Sequence, residues 1–188
     1  LAENNNEINM YGVNAGLGKM AGIGANVDVS SVNSSANARI DGSKINEDMT
    51  GADDDKYAAG QKVKVAAANL SRLETHAGTL GAGTVGVGLS SVTTLINNTA
   101  LAEIAGASKV KSKSDIDVNA DGKTYFNSVV VGGAGGKVGV AGNVNVAEIG
   151  NTSSAFISGS TVTGYGNTSV AAKDVTRLGK RLNDDGSE

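Results

Sequence analysis

The sequence predicts an all-β chain, a stacked parallel β-solenoid, and three observations lead there. A unit recurs about three times, apolar residues inside it alternate with period two, and the apolar set is small or β-branched. Gly22, Ala38, Ile40 and Gly42 return as Gly86, Ala102, Ile104 and Gly106, then as Gly139, Ala155, Ile157 and Gly159. A unit that cannot keep its own apolar face dry buries it on its neighbours, so repetition on this scale reads as an elongated array. The 188 residues include 27 Gly and no Trp, and only 3% are aromatic, which suits a narrow interior of stacked Val, Ile and Ala better than a sandwich filled by large rings.

Spacing divides the chain into residues 8–45, an insertion at 46–61, then 62–118 and 119–182, with a polar tail at 183–188. The isoleucine marks lie 64 and 53 residues apart, and the surplus falls between Ile45 and Val65, a step 12 residues longer than from Val110 to Val118. The inserted segment is acidic and loop-like. In the first unit Ala21, Ile23, Ala25, Val27 and Val29 alternate with Gly22, Gly24, Asn26 and Asp28, which predicts a strand with the aliphatic row buried and the small or polar row wet. Val85, Val87 and Leu89 repeat the pattern, as do Val138, Val140, Val144 and Val146 against Gly139, Ala141, Asn143 and Asn145. Residues 65–78 match residues 170–183 through Val65/Val170, Arg72/Arg177 and Leu73/Leu178. Despite their helix-compatible composition, position in the repeat makes both strand and turn. Ile116, Val118 and Ala120, alternating with Asp115, Asp117 and Asn119, form another half-buried strand. If each unit winds into two or three coils, it adds roughly 10–15 Å of length.

Chemistry-bearing motifs are few. The absence of Cys removes disulfides, thiol catalysis and cysteine zinc sites. A net charge of −3 with both signs dispersed offers no broad nucleic-acid surface. Lys109, Lys111 and Lys113, and separately Arg177, Lys180 and Arg181, read as solvated faces. His76, the sole histidine, reads as an outward turn residue without a relay partner, and the serines as turn and surface filler. Asp117–Gly122 opens like a calcium loop, yet the twelfth position is Ser128 where a bidentate Glu is needed. The glycine-rich stretches at 16–24 and 132–142 lack the phosphate-loop spacing and mark tight corners and close stacking. Asp53, Asp54 and Asp55 are the candidate binding residues, in a segment expected to be mobile and solvated. No catalytic residues, metal site or cofactor are expected, and no apolar run has the length of a membrane helix.

Residues 69–110, NLSRLETHAGTLGAGTVGVGLSSVTTLINNTALAEIAGASKV, with the looser forms GKMAGIGANVDVSSVNSSANARIDGSKI and GGKVGVAGNVNVAEIGNTSSAFISGSTV, extend over nearly the whole chain. This set resembles the repeat regions of large type V secreted passengers, the Fusobacterium-type leukotoxin and filamentous-haemagglutinin-like adhesins. The resemblance implies a right-handed parallel β-helix fragment of a longer polypeptide, secreted or displayed on a Gram-negative cell. It carries over no catalytic residues. The expected function is host-cell contact by an adhesin or leukotoxin-like virulence factor, with a host receptor or glycan and the neighbouring repeats of the parent chain as partners. A passive spacer is the alternative, and a β-helical polysaccharide-degrading enzyme a third. Neither nucleic-acid binding nor direct membrane insertion is expected.

Overall fold

A computed structural model describes residues 1–179. The chain is a parallel β-helix without an α-helix among the described residues. Its first coil runs β1 (Ala2–Leu17), β2 (Ala21–Asp41) and β3 (Lys44–Ile45). The second runs β4 (Val63–Ala82), β5 (Val85–Ala105) and β6 (Lys109–Ser112), the third β7 (Ile116–Gly135), β8 (Val138–Ile157) and β9 (Thr161–Gly164), and β10 (Thr168–Leu178) opens a fourth. Equivalent strands stack into two long sheets, β1-β4-β7-β10 and β2-β5-β8, closed along one side by the short sheet β3-β6-β9. All pairings are parallel, and Ile40, Ile104 and Ile157 stand in register, as the repeat alignment places them.

One repeat unit is therefore one coil. Coils in a sheet rise about 4.8 Å, so a unit adds that much height and not the 10–15 Å that two or three coils would give. The residues go into width: strands of 20–21 residues reach roughly 65 Å when extended, and the stack is a broad plate. Residues 65–78 lie in β4 and the described part of 170–183 in β10 or just beyond it, strands as their place in the repeat requires.

The interior changes character across this width. Beside the short sheet, Val65, Val118, Ile104, Val110 and Ile116 form an aliphatic lobe with small neighbours such as Ala67, Ala100 and Ala102. Next comes a buried polar layer. The Ser71 hydroxyl donates to Asn98 Oδ1 at 2.8 Å, the Asn98 amide donates to Thr124 Oγ1, Thr124 donates to Asn151 Oδ1 at 2.8 Å, and Asn151 donates to Thr176 Oγ1 at 2.7 Å. This zigzag climbs through successive coils, buried from Ser71 to Thr124 and opening to solvent at Thr176, and satisfies amides such as that of Asn98 that would be costly to bury alone. Ser34, Ser71 and Ser90 are thus interior residues, not surface filler. A second cluster of Val32, Leu73, Ile96 and Phe126 follows.

Beyond it the long sheets converge to a glycine-filled blade. A Cβ on Gly16 would strike the Ile23 carbonyl, one on Gly81 the Val87 carbonyl, and one on Gly86 the backbone of Gly81 and Gly135. Backbones this close leave no space for side chains between them. The alternating aliphatic rows at this end consequently face outward, opposite to the expectation from the sequence: Ile23 is 68% exposed, Val27 73% and Val144 57%. Gly22, Gly24, Gly86 and Gly88 take the inner positions. Period two identifies which residues share a face, and the closeness of the opposite strand decides which face is inside.

Candidate functional site: the insertion on the short sheet

Residues 46–62 join β3 to β4 and replace the three-residue link, Lys113–Asp115, found at the same corner of the next coil. The segment is a series of turns closed by Met49 N–H to Asn46 O, Asp54 N–H to Gly51 O and Tyr57 N–H to Asp54 O. Most of its residues, Asp53 and Asp55 included, are exposed as its acidity leads one to expect, yet the segment is laid down on the second coil. Its donors and acceptors pair as a tethered backbone must: Asn46 donates its amide to Lys111 O at 2.8 Å, Gln61 Oε1 accepts from Lys113 N–H at 2.9 Å, and Gln61 O accepts from Ser114 N–H at 2.9 Å. Met49 is buried to 1% exposure as its apolar anchor.

The three alternating lysines, read from the sequence as a solvated face, are the clamp. Period two sets Lys109, Lys111 and Lys113 on one side, with Val110 and Ser112 turned inward. Lys111 Nζ donates to Glu47 O at 2.9 Å and Met49 O at 2.8 Å, and Lys113 Nζ to Asp54 O at 2.9 Å and Tyr57 O at 3.0 Å. Glu47 bridges Lys44 at 2.7 Å and Lys109 at 3.3 Å. The Lys44 hydrogen bond, with help from Lys109, holds the Glu47 carboxyl below its ordinary pKa. Asp54 is held low by N–H donors from Thr50 and Lys56, and Asp48 by the Tyr57 hydroxyl; that bond in turn pushes Tyr57 up to about 12.

Among the candidate aspartates, Asp54 spends its carboxylate on this local turn, accepting from Thr50 N–H and Oγ1 at 3.0 and 3.1 Å and Lys56 N–H at 3.1 Å. Asp53, Asp54 and Asp55 are not gathered into a metal-binding group, and no cluster of three His, Cys, Asp or Glu capable of holding a metal occurs among the described residues. Asp117–Gly122 lies within β7, an extended strand that cannot wrap a cation. His76 is mid-strand in β4 and not in a turn; its ring stacks on Tyr11 with centroids 5.2 Å apart. Arg177 stands in register with Tyr125, itself in register with Arg72; Arg72 and Tyr125 are buried, whereas Arg177 on β10 is exposed, as the solvated-face reading expects. Lys180 and Arg181 lie outside the described residues.

Where the insertion meets the short sheet, Glu47, Lys109, Val110, Lys111, Thr161 and Thr163 line a shallow groove of about 360 Å³. Its rim offers ammonium, carboxylate and hydroxyl groups, the chemistry of a polar ligand. The sequence locates the insertion and not its seat: Lys111 and Lys113 hold it through backbone carbonyls, which leave no mark in the sequence, and only Glu47 meets lysines by charge. Comparison with protein-family models, curated proteins and solved structures finds no match to this chain.

Proposed function

We propose that this chain is an extracellular β-solenoid segment of a bacterial adhesin or leukotoxin-like virulence factor, displayed or released outside a Gram-negative cell, with the insertion as its contact element. The supporting observation is that the largest departure from the repeat is folded and clamped by two lysines onto the side of a stack that is regular in its long sheets. A pre-ordered projection loses little freedom on binding. The groove at its base would take a polar partner, a host receptor or glycan. The reading assigns the segment no catalysis.

The test replaces residues 46–62 by the three-residue link of the second coil and measures binding of labelled protein to leukocytes and epithelial cells. The shortened chain is expected to keep its β-rich circular dichroism and lose binding. Retained binding removes the insertion from this role. A parent chain that binds no cells supports the spacer reading, which is favoured by the unbroken register of the coils.

A further inference from the structure

The outward side of β2, β5 and β8 at the glycine blade forms a flat aliphatic face, with Ile23, Val27 and Val29 stacked in register on Val87, Ser91 and Thr93 and these on Val140, Val144 and Val146. We propose that this face is a self-association surface, on which a second copy of the chain stacks sheet against sheet.

Three features select a copy of the same chain as the occupant. First, none of the outward positions from Ala21 to Val29, or their register partners in β5 and β8, carries an ionisable group. Farther along the width of the plate the outer surface carries Arg39, Lys64 and Asp117. A two-fold contact sets each patch against itself, and a neutral patch incurs no like-charge repulsion there. Second, the side chains stand in rows about 4.8 Å apart on a period-two surface, a relief that interleaves with its twin as in a sandwich of sheets about 10 Å apart. Third, the face spans roughly 27 by 14 Å, or about 400 Å² per copy, the size of the largest apolar patch on a typical monomer, which is often functional. Its burial by two copies removes about 800 Å², below the 1,200–2,000 Å² of stable complexes, so these three coils should associate weakly and reversibly.

A lipid surface fits less well, because the face offers its headgroups neither a cationic side chain nor an aromatic ring. The same lack of an aromatic ring leaves sugars nothing to stack on.

Sedimentation equilibrium of the 188-residue chain from about 10 μM to about 1 mM is expected to show a monomer–dimer equilibrium with Kd on the order of 0.1–1 mM. Val144→Lys should weaken it by about tenfold or more, as should Val144→Glu, and mixing the two variants should restore association. Val13→Lys, on the opposite long sheet, should leave it unchanged. Circular dichroism verifies the fold of each variant, and the mixing arm separates lost contact from lost fold. A monomer throughout the range, or a dimer insensitive to the Val144 charges, overturns the proposal. So does flotation with phosphatidylcholine–phosphatidylglycerol vesicles that disappears in Val144→Lys, which would make lipid the occupant.

Discussion

The glycine that recurs at residues 42, 106 and 159 is explained by one backbone angle. Their φ values are 55°, 68° and 55°, and each begins the turn into the short sheet. A Cβ in that region costs roughly 1–2 kcal/mol, and at Gly106 it would also overlap the Asp41 carboxylate. Gly106→Ala should therefore destabilise by at least about 1–2 kcal/mol in urea unfolding. Its neighbour Ala107 holds φ 58° at the one-residue enlargement of this turn in the second coil. Ala107→Gly should stabilise by about 0.5–1 kcal/mol, the relief of strain exceeding the added unfolded-state entropy. The polar layer obeys a different rule. Asn98 is 3% exposed with both sides of its amide engaged, so Asn98→Ala should cost about 2–3 kcal/mol. Asn97→Ala, one position along on the wet side, should stay within about 0.5 kcal/mol.

At the scale of elements, the insertion should open independently of the coils. Lys111→Ala removes the ammonium that donates to two of its carbonyls and is expected to lower its local opening free energy by about 1.5–3 kcal/mol. Amide exchange should accelerate by roughly tenfold or more at 46–62 and remain unchanged in β4 and β5. Its titration has two limits. The depressed carboxyls of Glu47, Asp54 and Asp48 support the insertion above their ordinary values, and this support fades as acid carries the pH down through their lowered folded ones. Tyr57, raised to about 12, contributes fully below its ordinary value near 10 and stops contributing as the pH climbs through 12. Exchange at 46–62 should be slowest between these limits; a rate flat from pH 3 to pH 7 after correction for intrinsic exchange would separate the carboxyls from the docking.

Across the whole molecule the plate is held by stacking, and its inside and outside carry equally aliphatic rows with opposite consequences. Ile104 has no exposed surface, and Ile104→Ala should cost about 2–5 kcal/mol. Val140 is 54% exposed on the blade, and Val140→Ser should change stability by no more than about 0.5 kcal/mol at concentrations where the chain is monomeric. Thermal unfolding of the pair discriminates the observed orientation from the one in which the aliphatic alternation is buried. That contrast marks how far the sequence could be read. The repeats aligned Ile40, Ile104 and Ile157 correctly because in-register parallel stacking places like on like, and the insertion announced itself as a break in spacing. Lys111 and Lys113 were legible as an alternation and illegible as a clamp, because their acceptors are carbonyls of the preceding coil, some sixty positions away in sequence.

From the order of residues alone came the strands, their register, the location of the insertion and the all-β stack, since period, spacing and composition are properties of a line. Three dimensions decided that a unit makes a single coil, that the insertion is seated, and that valines at the blade point outward. The physical reason is that alternation is symmetric between its two faces. Only the approach of the facing strand, close enough at Gly16 and Gly81 to exclude a methyl group, breaks that symmetry.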